Sequence, residues 1–198
     1  MTELGRHRLR IIGGEWRGRK LAFPALPELR PTPDRVRETL FNWLSDIIPG
    51  ARCLDLFAGS GALAFEALSR GAEEVVMVDQ HPAVVAQLKE HIQHLKTDRA
   101  RIVRAEALAF LRGPPRSFDI AFLDPPFHSR LLGPCMELFA ADGWLAPSAW
   151  IYVETERRTP LPALPAAWAV LRHKEAGQVG YYLLKRTSVS AEQGSPSS

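Results

Sequence analysis

The chain has 198 residues and a net charge of +3, and 46% of its residues are hydrophobic, which suits one globular domain with a substantial core. Its two cysteines are too few for a disulfide framework or a zinc ligand set, so the expected compartment is the reducing cytoplasm. The polar, basic start lacks the apolar region of an export signal, and no run approaches the roughly 20 apolar residues that span a bilayer, so no membrane association is expected.

The positive charge is concentrated near the N-terminus. Residues 1–37 carry nine basic and four acidic side chains, so their net charge is +5 and the remainder sums to −2. The bases are interleaved with isoleucine, tryptophan and glycine, which predicts a basic hairpin suited to phosphate contacts. The predicted RNA-binding residues are Arg10, Arg17, Arg19 and Lys20. A basic terminus is also typical of a merely solvated segment, so a nucleic-acid partner depends on motifs further along.

Four prolines between residues 24 and 33 mark an extended linker. After it, Asp34 is expected to cap a helix over residues 34–45. The last residues are rich in serine, glycine and proline and almost devoid of apolar side chains, which is typical of a disordered tail. The predicted organisation is therefore a hairpin with its linker at residues 1–33, a main domain at residues 34–186, and a tail at residues 187–198.

From residue 52 onward, short apolar strands alternate with helical segments. Strands are predicted at residues 53–57, 75–78, 102–104 and 120–123, and helices at residues 61–70, 82–95, 107–111 and 130–139. Such alternation is typical of right-handed βαβ units and predicts an α/β fold with a parallel sheet. A fifth strand is expected at residues 149–153, and residues 169–172 and 179–184 form an expected antiparallel closing pair.

A glycine-containing loop follows the first strand of this series, with the sequence LDLFAGSG at residues 54–61. Its glycines would let a ligand approach the N-terminus of the next helix. Gly59 and Gly61, together with Asp79 after the second strand, also satisfy the loose dinucleotide-binding fingerprint. Asp55 favours a different cofactor, because its carboxylate repels a pyrophosphate but suits the ammonium group of S-adenosyl-L-methionine.

The predicted cofactor site extends along the ends of three strands. Asp79 is expected to bind a ribose hydroxyl, and Gln80 or His81 to line an adenine pocket. Glu106 either accepts a hydrogen bond from the adenine amino group or is an ordinary acid at a helix N-terminus. The predicted cofactor-binding residues of this part of the chain are Asp55, Phe57, Ala58, Gly59, Ser60, Gly61, Asp79, Gln80, Glu106 and Ala107.

The motif Asp124-Pro125-Pro126-Phe127 closes the fourth apolar run. Its prolines fix φ and remove two backbone donors, so carbonyl oxygens and the Asp124 carboxylate remain to accept hydrogen bonds from a substrate amine. Phe127 is suited to stacking on a flat base. An exocyclic base amine is a poor nucleophile that needs such positioning, so the motif predicts an amine-methylating site with these four residues as catalytic. The structural alternative is a strand terminator followed by a core phenylalanine.

Other reactive side chains are interpreted as structural. Cys135 lies within a predicted helix, and because amine methylation needs no covalent adduct, it is expected to be a buried core residue. The six histidines include no close pair backed by acids or thiols, so no metal site is expected. His128 is interpreted as a solvent-facing loop residue, with a phosphate contact as the alternative.

Taken together, these motifs resemble the RsmD family of bacterial 16S rRNA guanine-N2 methyltransferases, over about residues 8–186. The specific blocks are RIIGGEWRGR at residues 10–19 and RPTPDRVRETLFNWL at residues 30–44. The loop at residues 55–61 and the motif at residues 124–127 are more general, and AGQV at residues 176–179 also belongs to the resemblance. The resemblance implies a Rossmann-like, S-adenosyl-L-methionine-dependent fold with a seven-stranded, mostly parallel sheet and one antiparallel strand.

The resemblance also implies a substrate and further site residues. The substrate is a guanine of 16S rRNA, presented within an assembling small ribosomal subunit, and the enzyme is expected to be a monomer. Arg30, Thr32 and Arg37 would lie beside the cofactor, although Arg37 could instead pair with a neighbouring acid. The alternatives are adenine-N6 methylation of DNA or RNA, which the same loop chemistry serves, and a ribosome-assembly RNA-binding protein without turnover.

Overall fold

The computed structural model describes residues 7–23, 32–127, 129–141 and 143–187. In chain order the strands are β1 (His7–Arg10), β2 (Lys20–Phe23), β3 (Arg52–Asp55), β4 (Glu74–Asp79), β5 (Ala100–Arg104), β6 (Phe118–Leu123), β7 (Leu145–Glu156), β8 (Trp168–Ala176) and β9 (Val179–Arg186). The helices are α1 (Asp34–Trp43), α2 (Ala62–Ser69), α3 (Pro82–Leu95), α4 (Ala107–Leu111) and α5 (Leu132–Ala140). No helix in these ranges is both long and apolar enough to cross a membrane.

Strands β3 to β9 form one seven-stranded sheet with the order β5-β4-β3-β6-β7-β9-β8. All neighbours are parallel except β9, which runs antiparallel to both β7 and β8. The predicted α/β class, the mostly parallel sheet and its single reversed strand are confirmed. The chain builds outward from β3 to β5 and then returns to β6 on the other side of β3. The carboxyl ends of β3 and β6 therefore flank a topological switch point, where α/β sheets bind ligands.

Two hydrophobic cores cover the two faces of the sheet. The first contains the apolar sides of α1, α2, α3 and the β1–β2 hairpin, and the second those of α4 and α5. Successive side chains of a strand point to opposite faces. In β6, Ile120 and Phe122 accordingly enter the first core, and Ala121 and Leu123 enter the second. This alternation aims the next side chain, Asp124, toward the face of the first core.

The predicted basic hairpin is present as β1 and β2, which pair antiparallel to each other and not with the main sheet. Its apolar side chains are buried in the first core: Leu9, Ile11, Trp16, Leu21 and Phe23. The backbone carbonyl of Ala22 lies 2.6 Å from Nε2 of His91 on α3. The hairpin thus shares a core with the main domain, while the predicted boundary at residue 33 stays a prediction.

Several boundaries differ from those expected. Asp34 does not cap α1; that prediction is wrong, because Pro33 occupies the N-cap position without any side-chain cap and Asp34 instead pairs with Arg37. Strand β7 is longer than predicted because it pairs with β6 on one side and with β9 along residues 150–156 on the other. Thr187, the first residue of the predicted disordered tail, donates its backbone N–H to the carbonyl of Ala167 and so is held by a hydrogen bond. Residues 24–31 of the predicted linker and residues 188–198 of the predicted tail lie outside the described residues.

Candidate functional site

A cavity of about 540 Å³ opens at the carboxyl ends of β3, β4 and β6. It brings together most of the predicted catalytic and cofactor residues. Those that line it are Thr32, Asp55, Phe57, Ala58, Gly59, Ser60, Asp79, Gln80, Glu106, Ala107, Asp124, Pro125, Pro126 and Phe127. His81 also lines it, as do apolar side chains that include Leu56, Val78, Leu108 and Leu131. Its volume is within the range of pockets that enclose small organic ligands.

The glycine loop forms one side of this cavity. Gly61 adopts a φ of +78°, and a Cβ built there would lie 2.4 Å from the Phe65 ring, so only glycine fits. Gly61 does not line the cavity; it lets the loop turn sharply into α2. Gly59 faces the cavity, and its backbone N–H donates to Oδ2 of Asp79 at 3.0 Å. The loop is thereby held against the end of β4.

Asp79 organises the neighbouring wall. Its Oδ1 accepts a hydrogen bond of 2.8 Å from the backbone N–H of His81, while its Oδ2 accepts that of Gly59. A carboxylate has about four acceptor sites, so these two bonds leave capacity for a ligand hydroxyl. The ribose-binding role assigned to Asp79 stays a prediction that this geometry permits.

Asp55 is the most unusual group of the cavity. Only 1% of the residue is exposed, and its Oδ1 atom has no hydrogen-bond partner among the described residues. Burial raises the pKa of Asp55 to about 7, and the nearby acids Asp79 and Glu154 add to this, whereas the backbone N–H of Ala64 acts in the opposite direction. A buried carboxylate with an unpaired oxygen is costly unless a ligand supplies a donor or a positive charge. Its surroundings therefore fit an ammonium group.

Two further acids lie side by side, the partly buried Asp124 directly after β6 and the buried Glu154 on β7. The register pairs Leu123 of β6 with Val153 of β7. The residues that come next in the chain, Asp124 and Glu154, are therefore neighbours. The Thr32 hydroxyl donates to Oδ2 of Asp124 at 3.5 Å, and the Tyr152 hydroxyl donates to Oε1 of Glu154 at 2.8 Å. Within the described part of the chain, none of the ion pairs involves either carboxylate.

The pKa values of both acids are raised, chiefly by burial. Burial, followed by the charges of Glu154 and Asp55, raises the pKa of Asp124 well above its usual range. Burial raises the pKa of Glu154 to about 7, although the hydroxyls of Tyr152 and Thr32 favour its charged form. Strongly shifted acids grouped in a cavity are typical of functional sites.

Sequence reasoning missed Glu154. Its signal was available, since Glu154 directly follows the predicted strand at residues 149–153, just as Asp124 follows the one at residues 120–123. What the pattern did not show is that β7 is the neighbour of β6, which places the two acids together.

The Asp-Pro-Pro-Phe loop separates this cavity from a second one of about 350 Å³. Pro125 is buried, whereas Phe127 is 41% exposed and borders both cavities. The structural alternative predicted a phenylalanine buried in the core after a strand terminator. The exposure of Phe127 does not fit that alternative. Phe127 is therefore available to stack on a planar ligand.

The basic residues that were expected near the site divide into three groups. Arg30 and His128 lie outside the described residues. Arg37 is fully buried and pairs with Asp34 at 2.6 Å and with Glu66 at 3.4 Å. It does not line the cavity, and the ion pair with a neighbouring acid, which was the predicted alternative, is the one observed. The predicted RNA-binding residues Arg10, Arg17, Arg19 and Lys20 are exposed on the hairpin, where Arg10 also pairs with Asp34 at 3.5 Å.

The cysteines and metal-ligating side chains offer no competing chemistry in the described ranges. Cys135 is buried on α5, and burial raises the pKa of its thiol to about 12, which opposes formation of the nucleophilic thiolate. Among the described residues, no three histidine, cysteine or acidic side chains are grouped to hold a metal ion.

The shifted pKa of Asp55 predicts a pH-dependent effect on stability. Its folded-state pKa of about 7 exceeds the ordinary value of 3.8, so the stability contribution present at low pH is lost as the pH rises through about 7. We expect Asp55→Asn to stabilise the ligand-free protein by about 1–3 kcal/mol near pH 8 and to have little effect near pH 4. Urea unfolding at both pH values measures this difference, with exposed Asp98→Asn as the control. An equal effect of Asp55→Asn at both pH values would contradict the shift.

Comparison with known proteins covers nearly the whole chain. Residues 9–185 match a family described as "Conserved hypothetical protein 95". The chain is 50% identical over 182 residues to ribosomal RNA small subunit methyltransferase D of Escherichia coli (strain K12), which covers 92% of each chain. It is 48% identical over 179 residues to the protein of the same name from Haemophilus influenzae, covering 88% of this chain and 92% of that one.

A solved structure shows the same architecture. The protein yhhF from Escherichia coli superposes with a TM-score of 0.84 at 49% sequence identity, covering 92% of this chain and 99% of that chain. The family match, over residues 9–185, begins within β1 and ends within β9. It therefore includes most of the hairpin, both cavities and the acids that line them.

Proposed function

Because the chain belongs to the RsmD family, the one described as conserved hypothetical protein 95, we propose that it transfers a methyl group from S-adenosyl-L-methionine to the exocyclic N2 of a guanine in 16S rRNA. The resemblance predicted from the sequence motifs is confirmed by the family match and by the relatives. The shared name of these relatives supports methylation of small-subunit rRNA. The observation that carries the finer proposal is one cavity lined both by Asp55, whose Oδ1 atom is unpaired, and by the Asp124 loop.

The residues of the larger cavity fit the methyl donor. When bound, S-adenosyl-L-methionine supplies a methyl group that its sulfonium charge has already activated. The unpaired Oδ1 of Asp55 would hold the ammonium end, and Asp79 would accept from the ribose hydroxyls. Glu106 occupies the N-cap position of α4 but makes no capping hydrogen bond, so its exposed carboxylate is suited to the adenine amino group.

The Asp-Pro-Pro-Phe loop would hold the acceptor. The Asp124 carboxylate and the Pro125 carbonyl accept the two N–H bonds of the amine, which turns its lone pair out of the ring plane. Positioning of this kind lowers a barrier by about 7–11 kcal/mol at most. Phe127 stacks on the base, which must be unpaired or flipped to reach the loop. Because burial and nearby acids raise the pKa of Asp124, this group is also suited to take up the proton that the amine releases.

The exposed bases of the hairpin would supply the RNA contacts. We expect the double variant Arg17→Gln/Arg19→Gln to bind 16S rRNA fragments more weakly and to flatten the dependence of log affinity on log salt by about 0.7–0.9 per lost phosphate contact. Filter binding across a salt series measures this slope. Arg112→Gln, an exposed arginine after α4 on the other face of the sheet, is the control. A slope unchanged in the double variant would remove the hairpin from the interface.

A labelled-methyl assay tests the proposed reaction. The protein is incubated with S-adenosyl-L-methionine and either 16S rRNA or small-subunit particles from cells that lack the protein, and the product nucleosides are identified by mass spectrometry. We expect N2-methylguanosine, with the two substrates separating naked RNA from a ribonucleoprotein target. N6-methyladenosine would instead identify an adenine methyltransferase, and RNA binding without any incorporation would identify an assembly factor.

A further inference from the structure

The second cavity lies on the other side of the Asp-Pro-Pro-Phe loop and contains an acid to which the proposed reaction assigns no role. It shares Pro125, Pro126, Phe127 and Leu131 with the larger cavity. Glu154 lines it, although only 3% of this residue is exposed. A space of about 350 Å³ is large enough for a small planar ligand such as a base. The loop that would hold the acceptor amine thus borders a compartment with its own buried carboxylate.

Glu154 is held in one orientation. Its Oε1 accepts the hydroxyl of Tyr152 at 2.8 Å, and Tyr152 is itself fully buried on the same strand. Because a carboxylate accepts about four hydrogen bonds, Glu154 retains capacity for a donor from the cavity. No lysine or arginine in the described ranges forms an ion pair with it. A buried acid of this kind favours a ligand that brings hydrogen-bond donors.

The pairing of Asp124 with Glu154 matches the hydrogen-bond pattern of one base. Guanine presents donors at adjacent positions, an N1–H beside the N2 amino group. Adenine presents its N6 amino group beside an unprotonated N1, which is an acceptor. A second carboxylate next to the amine-binding loop would therefore attract guanine, whereas it would face the N1 lone pair of adenine without a hydrogen bond.

We infer that Glu154 selects guanine by accepting its N1–H while the Asp124 loop holds the neighbouring amine. This role rests on the proposed function and adds a specificity residue to it. Asp124 accepts a hydrogen bond from the amine that reacts. Glu154 accepts one from the adjacent ring N1–H, which guanine has and adenine lacks. The alternative is that Glu154 merely satisfies the buried Tyr152 hydroxyl and makes no contact with the substrate.

A base analogue that differs from guanine at N1 and at position 6 tests whether Glu154 contacts the substrate or only the Tyr152 hydroxyl. 2-Aminopurine keeps the exocyclic amine at position 2, but its N1 is an acceptor and it lacks the oxygen at position 6. RNAs are prepared with guanine or 2-aminopurine at the modified position, and kcat/KM for methyl transfer is measured for the wild type and for Glu154→Gln. Glu137→Gln, an exposed acid on α5, is the matched control.

We expect the wild type to prefer guanine strongly and Glu154→Gln to lose about 10- to 100-fold in kcat/KM on guanine, with a much smaller loss on 2-aminopurine. The preference for guanine would therefore fall by about tenfold or more in the variant and stay unchanged in the control. Binding of S-adenosyl-L-methionine to each variant verifies that the larger cavity is intact.

The outcomes distinguish this inference from the proposed function. If the wild type does not methylate guanine N2, the proposed function fails. If it does so but Glu154→Gln keeps the same preference, or loses both substrates equally, Glu154 has only a structural role and the inference is wrong. Nearly equal wild-type rates on the two bases would overturn the inference even if the variant failed to fold.

Discussion

Asp124→Ala is expected to lower the rate of methyl transfer by about 10²–10⁴-fold while changing cofactor affinity by less than about tenfold. Its carboxylate directly follows β6, lines the larger cavity, and lies beside Glu154 rather than in the glycine loop. In the proposed mechanism, the substitution removes an acceptor for the amine and the group that takes up its proton. Single-turnover transfer to RNA measures the rate, and calorimetric titration with S-adenosyl-L-methionine measures the affinity.

Two further variants test whether Asp124 and Asp79 have the separate roles proposed for them. Asp124→Asn keeps the shape of the side chain but replaces one acceptor oxygen with a donor, so it should lose nearly as much rate as the alanine variant. Asp79→Ala should instead weaken cofactor binding, because it removes the carboxylate that holds the Gly59 and His81 amides and that we propose binds the ribose. Equal losses of cofactor affinity in Asp79→Ala and Asp124→Ala would contradict this division of roles.

Three acids of the larger cavity could be found from sequence because each stands at or close to the end of an apolar strand. Asp55, Asp79 and Asp124 all follow this rule, and the carboxyl ends of parallel strands meet at one edge of the sheet. The glycine loop was recognisable for a similar reason, since the left-handed φ of Gly61 is a local property of the chain. Local patterns thus predicted the fold and most of the residues that line the cavity.

What sequence could not supply is the pairing between distant segments. Glu154 becomes a neighbour of Asp124 only because β7 lies beside β6, and alternation of helices and strands does not fix that order uniquely. Arg37 was left open between a cofactor contact and an ion pair because its partner Glu66 lies 29 residues away. Glu66 itself stands among alanine, leucine and phenylalanine in α2, where nothing local distinguishes a buried acid from an exposed one.

The group of buried acids relates stability to function. Burial raises the pKa of Asp55, Asp124 and Glu154, and repulsion from neighbouring acids raises it further for Asp55 and Asp124. An ammonium group and the amino edge of a base would each relieve part of this repulsion. The ligand-free protein therefore carries a cost that its proposed substrates remove, which is the reason that Asp55→Asn should stabilise the fold while weakening the cofactor.

The hairpin depends on a different buried acid. Glu66 is fully buried, and its two oxygens accept the backbone N–H groups of Ile12 and Gly13, each at 2.8 Å. The same carboxylate pairs with Arg37 at 3.4 Å and with Arg70 at 2.7 Å. Because Arg37 is also fully buried, Glu66 is the buried counter-charge that lies between this guanidinium, the hairpin and α2. A single side chain thus joins the basic hairpin to the helix that begins at the glycine loop.

Glu66→Ala is expected to destabilise the fold by about 3–5 kcal/mol, because it removes the buried counter-charge of Arg37 and leaves two backbone N–H groups without their acceptor. Arg37 would keep only Asp34, whose side chain is half exposed, as an acidic partner. Urea unfolding gives the free energy of unfolding, and hydrogen exchange at Ile12 and Gly13 reports whether the hairpin detaches first. Glu38→Ala, an exposed acid on α1, should change stability by less than about 0.5 kcal/mol. A loss no greater than that of Glu38→Ala, with unchanged exchange at both amides, would show that Glu66 does not hold the hairpin.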